Sequence, residues 1–121
     1  MGDRDYYLDP ENENIRTAYK EYLGKLFRLA GIPEADIEKA VAGVMNIETK
    51  LAEKSWSNTE LRDIPAQYNP TAKAEFEKTY DAIDWPVYYK AMGIGDFDTI
   101  IVTTKSSIAN ANDLMKNAPL E

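Results

Sequence analysis

The stretch DPENENIRTAYKEYLGKLFRLAGIP, Asp9 to Pro33, decides how this chain folds. Asp9-Pro10 offers an N-cap followed by proline at the first helical position, where its missing N–H has no intrahelical partner to lose. Behind it Ile15, Tyr19, Tyr22, Leu26 and Leu29 step by three or four residues, while Arg16, Lys20, Glu21, Lys25 and Arg28 lie largely off that stripe. Gly31, with Pro33 just beyond, ends the helix. A second helix is predicted from about Glu34 to about Glu53, with Ile37, Val41, Val44, Ile47 and Leu51 inward. The short connection makes the two helices antiparallel neighbours. Upstream, Asp3 to Asp9 reads as a polar and aromatic loop.

Downstream the elements shorten. Ser57-Asn58-Thr59-Glu60 is a capping box, serine at the N-cap and glutamate three residues on, which predicts a helical turn from Asn58 to Asp63 ended by Ile64-Pro65. Tyr68-Asn69-Pro70-Thr71 reads as a turn that launches a helix over about Ala72 to Thr79. Asp84 caps a helix carrying Trp85, Tyr88, Tyr89 and Met92 and closed by Gly93. Thr99 to Thr103 is β-branched throughout and is the one strand predicted; it needs a partner, either within the chain or outside it. A last helix spans about Lys105 to Lys116, with Ile108, Ala111, Leu114 and Met115 inward. The fold class expected is mainly α: a helical hairpin, several shorter helices and one short strand, part of a larger helical lobe.

Composition narrows function. Of 121 residues, 44% are hydrophobic and 29% charged, enough for a core without disulfides. Twenty-one acidic residues against fourteen basic give a net charge of −7, which repels phosphate backbones and anionic lipid headgroups, so neither nucleic acid nor a membrane is an expected partner of this segment. No apolar run approaches the roughly 20 residues needed to cross a bilayer. There is no histidine and no cysteine, which removes the usual nitrogen and sulfur metal ligands and every Ser-His or Cys-His nucleophile pair. No catalytic residue, no metal ligand and no cofactor are therefore assigned within these residues.

Two motifs imitate ligand sites. Asp9-x-Glu11-x-Glu13 starts like a calcium loop, but Asn14 and Lys20 stand where glycine and a bidentate glutamate are wanted, so the acids read as a solvated helix N-terminus. Gly93-x-Gly95 precedes a strand, the wrong context for a phosphate loop, and reads as a helix stop. The aromatic residues, eight tyrosines among them, read as core and packing residues at helical spacing more than as a peptide-binding surface. Glu48 lies one position from the inward stripe, between Val44 and Leu51, where a carboxylate is costly unless paired. Arg62, Arg16 and Arg4 are the candidate partners, and the expectation is a structural Glu48–Arg62 ion pair tying the second helix to the Ser57 turn.

Several short motifs, taken in order, carry a resemblance. Arg4-Asp5-Tyr6-Tyr7, Ile15-Arg16-x-Ala18-Tyr19-x-x-Tyr22-Leu23, Ile47-Glu48-x-x-Leu51-Ala52-x-x-Ser55-Trp56-Ser57, Glu60-x-Arg62-Asp63, Tyr68-Asn69-Pro70, Ile83-Asp84-Trp85-x-x-Tyr88 and Ile100-Ile101-Val102 together resemble the helical lobe of the neprilysin and endothelin-converting enzyme family of zinc metallopeptidases. The resemblance spans nearly the whole chain, and the lack of cysteine is similar to bacterial members. It implies a two-lobed parent whose catalytic lobe binds zinc through H-E-x-x-H and a downstream glutamate. Neither that motif nor the family's Asn-Ala-x-Tyr-type segment occurs here. The implied role is therefore a fragment of the non-catalytic, N-terminal lobe that closes over the active site and sorts oligopeptide substrates by access.

On this reading the partners are the catalytic lobe of the same parent and oligopeptides, zinc belongs to the absent lobe, and the parent works outside the cytoplasm, in the cell envelope, periplasm or secreted. The fragment alone is expected to be inactive, with one unusually apolar flank. The start at Met1-Gly2 reads as a vector start inside a loop, and Leu120-Glu121 as native or a cloning remnant. The alternative is a free-standing acidic helical module that binds a protein partner.

Overall fold

The computed structural model describes residues 1–120, which divide into two units, residues 1–55 together with residue 120, and residues 56–119. The first is the predicted hairpin with an N-terminal strap. α1 is a single turn, Asp5–Leu8, where the sequence reading placed a loop. Asp9 then accepts the Glu11 N–H at 2.9 Å and opens a 3-10 turn over Pro10–Asn12 that runs into α2, Glu13–Leu29. Gly31 takes φ +83°, and the N–H groups of Gly31 and Ile32 return to the carbonyls of Arg28 and Phe27, the paired closure that only a left-handed residue permits cheaply. α3, Glu34–Lys54, packs antiparallel on α2. Arg28 forks onto Glu34 near the turn, and Tyr19 reaches Glu48 far from it.

The helix boundaries agree with the periodicity, but the buried face of α2 does not. Leu23 is buried and Tyr19 and Phe27 half-buried, with Tyr7, Met45 and Ala52 completing the core. Ile15, Tyr22, Leu26 and Leu29, expected inward, are exposed. The cause is that α2 carries two apolar stripes about a quarter-turn apart, and Tyr19 belongs to both. On α3, Ile37 is buried as expected, but Met45 and Ala52 are the other fully buried positions and Leu51 is exposed.

The second unit is built from short pieces. Ser57 and Glu60 cap each other before a 3-10 turn over Glu60–Arg62. Asp63 then caps a further turn, α4, Ile64–Gln67, so Ile64-Pro65 starts a helix instead of ending one: proline is tolerated in a first turn. Pro70–Ala72 forms β1, which pairs antiparallel with β2, Thr99–Ile101, in the register Pro70↔Ile101, Thr71↔Ile100 and Ala72↔Thr99. The predicted strand thus finds its partner within the chain. That partner had been read as turn and helix because Asn69 and Thr71 can both cap a helix; Pro70, which has no N–H, is tolerated at the first residue of an edge strand.

Around the ladder stand α5, Lys73–Thr79; α6, Trp85–Met92; and α7, Lys105–Asn117. Phe76, Tyr80 and Val102 are the buried centre, with Trp85, Ile100 and Ile108 against them. Asn69 clamps the end of the ladder: its side chain donates to the carbonyls of Ala66 and Val102 at 2.9 Å each, and its own carbonyl accepts the Val102 N–H at 3.0 Å. α7 is tied on by Asn112, which accepts the Ala82 N–H, and by Lys116 on Asp81. Gly93, at φ +68°, closes α6 as Gly31 closes α2.

Candidate functional site

In the first unit the most concentrated polar chemistry gathers around Glu48. α3 carries this carboxylate beside α1 and α2, and two phenols meet it. Tyr7 Oη donates to Glu48 Oε2 at 2.5 Å and Tyr19 Oη donates to Oε1 at 3.0 Å, so each oxygen has its own donor. The Met1 ammonium donates to Tyr7 Oη at 2.6 Å and lies 3.9 Å from Oε2. Burial raises the titration of Tyr7 far above its ordinary value, and the hydrogen bond to Glu48 and its charge add to that; Tyr19 is raised by the same causes in the same order. Both phenols therefore stay protonated donors at neutral pH. The cluster ties α1 and α2 to α3 through the two phenol–carboxylate hydrogen bonds.

The other candidate partners of Glu48 are engaged elsewhere. Arg16 donates to the carbonyls of Tyr6 and Asp9 at 3.0 and 2.7 Å and forks onto Glu13, whose carboxyl it holds below the usual range. Arg4 donates to the Ser55 carbonyl at the C-terminal end of α3, where a cation is favoured. Arg62 belongs to the other unit, so the Glu48–Arg62 pair stands as a proposal. Sequence reasoning looked for a cation beside the carboxylate and missed the phenols. The signal available was Tyr19 on the α2 stripe together with Tyr7 in the strap, two donors that need an acceptor when buried.

The caps are local. Asp84 Oδ1 accepts the Val87 N–H at 3.3 Å, the Ser57 N–H donates to Glu60 Oε2 at 2.8 Å, and the Glu60 N–H donates to Ser57 Oγ at 3.3 Å. Asp9 and Glu13, two of the three acids in the calcium-like run, are taken up by the Glu11 N–H and by Arg16.

Each unit carries a concavity. A groove of about 790 Å³ between α2 and α3 has an apolar floor of Gly24, Ile37, Val41 and Met45 under a polar rim. The other, about 400 Å³, lies between α5 and the loop before β2 and is lined by Lys73, Glu77, Asp96, Phe97 and Asp98. There the Lys73 ammonium stands 5.5 Å from the Tyr89 ring centre, 5.0 Å from that of Phe97 and 3.6 Å from Asp96. Tyr89 Oη and Glu77 Oε1 are buried with no hydrogen-bond partner, and burial followed by the Glu77 charge raises the Tyr89 phenol. Behind it a ladder of rings runs from Tyr80 through Phe76 and Trp85 to Tyr89, with centres 4.8 to 6.1 Å apart.

The zinc implied by the sequence resemblance does not fit these residues. The chain has no imidazole or thiolate, and among the described residues no three carboxylates converge as a metal site. Nor is any helix of the described residues long and apolar enough to cross a membrane.

The N-terminal model of peptidase family M13 matches residues 1–121. Endothelin-converting enzyme 1 of Mus musculus is 29% identical over 121 residues, covering 94% of this chain and 16% of its own length, and the Homo sapiens enzyme is 31% identical over 93% and 15%. Neprilysin-3 of Drosophila melanogaster is 24% identical over 92% and 15%. The chain thus spans about 16% of the length of these curated relatives. In fold it is similar to the zinc metalloprotease ZMP1 of Mycobacterium tuberculosis in its open state, with a TM-score of 0.88 and 22% identity over 99% of this chain and 19% of that one. The inhibitor complex of ZMP1 gives 0.85 and 21% over 98% and 19%.

Proposed function

Because the chain belongs to peptidase family M13, whose N-terminal model covers all of residues 1–121, we propose that it is a piece of the non-catalytic helical lobe of a neprilysin-like zinc metalloendopeptidase. In this reading the parent hydrolyses oligopeptides at a zinc held by another lobe. The segment forms part of the wall and lid that admit flexible peptides and exclude folded proteins, and the parent works outside the cytoplasm, as a bacterial member of its family.

One observation carries the reading: a match along the full chain coincides with a residue inventory that contains no imidazole and no thiolate. A segment so matched and so equipped can shape a chamber, but it offers neither of the two histidine ligands on which the family's metal site is built. The Glu48 cluster supports the same role, since its phenols are locked as donors and stiffen the hairpin. No observation favours the free-standing module.

The test compares the longer parent with residues 1–121. We expect chelator-sensitive cleavage of a short peptide and stoichiometric zinc from the parent, neither from the piece, and resistance of a folded protein to the parent. Zinc retained by the piece together with peptide cleavage overturns the proposal. So does a parent that binds zinc but leaves short peptides intact.

A further inference from the structure

Beside its buried stripe, about a quarter-turn round the helix, α2 carries a row of apolar side chains open to solvent. Ile15 is 37% exposed, Tyr22 58%, Leu26 44% and Leu29 86%, and Ala18 is exposed on the same side. Single exposed apolar residues are ordinary on any protein surface; a continuous row along one helix marks an interaction face. The steps between these five positions are three, four, four and three residues, a mean of 3.5. That is the period at which a helix keeps one face against a second helix running beside it at a shallow angle. The row is about 21 Å long at ~1.5 Å per residue, the length of several helical turns. An extended peptide has no use for such spacing, and α2 offers it no free backbone groups to pair with.

We propose that this row seats a helix of the same parent polypeptide lying outside residues 1–121, one that presents its own apolar stripe. The inference rests on the reading of the chain as part of a longer family M13 protein. It is supported by the amount of polypeptide beyond these residues: the solved neighbour aligns with 99% of this chain but only 19% of its own length. Charge argues against a second copy of residues 1–121 as occupant, because two such segments of net charge −7 repel one another. An anionic membrane surface is disfavoured on the same ground.

The experiment places a benzophenone amino acid at position 22, and separately at position 29, in the full-length parent. Both sites are open enough to accept the probe without disturbing the hairpin. Irradiation is expected to give an intramolecular crosslink from either site to a helical peptide outside residues 1–121, located by mass spectrometry. A crosslinked dimer, a crosslink only to an added peptide substrate, or no crosslink from either site overturns the proposal. A second measurement uses the Leu26→Glu, Leu29→Glu variant. It should lower the melting temperature of the parent while leaving the parent's helical signal at low temperature unchanged; equal melting of variant and wild-type parent overturns the proposal as well. Peptidase activity of the unmodified parent is assayed alongside. Cleavage without a crosslink removes the docking face alone, and a crosslink without cleavage removes the functional reading alone.

Discussion

The two units of this chain hold themselves together by different means. Residues 1–55 rely on two long helices, of 17 and 21 residues, whose packing is mainly aliphatic and whose one inward carboxylate is met by phenols. Residues 56–119 contain no helix longer than 13 residues, and several of a turn or two. Short helices cannot repay their nucleation cost alone, so side-chain caps, a three-residue ladder and stacked rings supply what helix length supplies elsewhere. The contrast teaches where each unit is vulnerable: the second at its few shared aromatic contacts, the first at its polar centre. Both tryptophans, Trp56 and Trp85, lie in the second unit, so fluorescence reads that unit by itself.

The largest effect is expected where one side chain serves the most neighbours. Phe76 is 4% exposed and stacks on Tyr80 at 5.0 Å and Trp85 at 4.8 Å. Phe76→Ala should cost roughly 3–5 kcal/mol, seen as an early shift of tryptophan emission in urea. An unchanged midpoint would mean that the ring ladder does not hold the second unit. Next comes the Glu48 cluster. Tyr7→Phe deprives Oε2 of its phenol donor and should cost roughly 1–3 kcal/mol, read by far-ultraviolet dichroism.

That cluster also predicts an alkaline weakness. Tyr7 and Tyr19 titrate above their ordinary range in the folded chain, so folding favours their protonated forms. Their contribution is complete below about pH 10, the unfolded value, and is lost as pH rises from there through the raised folded values. The helical transition should therefore melt progressively lower above about pH 10, and Tyr7→Phe should flatten that slope. If the variant keeps the wild-type slope, the phenol–carboxylate contact is not what distinguishes the first unit.

Much of this was legible in the sequence, for reasons that differ between the units. The long helices of the first carry enough turns for periodicity to fix their ends. Their buried face was misread because Ile15, Tyr22, Leu26 and Leu29 make as good a stripe as Tyr19, Leu23 and Phe27, and single-helix periodicity cannot choose between two stripes. In the second unit the local signals, Asp84 before Trp85 and Ser57 with Glu60, occur as hydrogen bonds in the structure. β1 was invisible because Pro70–Ala72 becomes a strand only by pairing 29 positions away with Thr99–Ile101. The Glu48 cluster was half legible: the need for a partner followed from its position, but its partner in Tyr7 depends on α1 folding back over α3. Cap loss tests the local half of this argument. Asp84→Ala should cost about 1 kcal/mol, visible in tryptophan emission, whereas a silent variant would mean that α6 is fixed by its rings alone.

The smallest expected effect concerns the one proposed interaction that joins residues of both units. Glu48 keeps 30% of its side chain exposed and already accepts a bond at each oxygen, so it is not a stranded charge in need of rescue. A pair with Arg62 would add the attraction of two partly solvated ions, worth up to about 1 kcal/mol. Single substitutions cannot isolate so small a quantity, because Glu48→Gln also disturbs the phenols. A double-mutant cycle over Glu48→Gln and Arg62→Ala cancels that disturbance and leaves the coupling. Coupling near the expected size, fading in high salt, would establish the pair and qualify the contrast between the units. Additive effects would leave Glu48 to its two tyrosines, and the polar centre of the hairpin would then belong to the first unit alone.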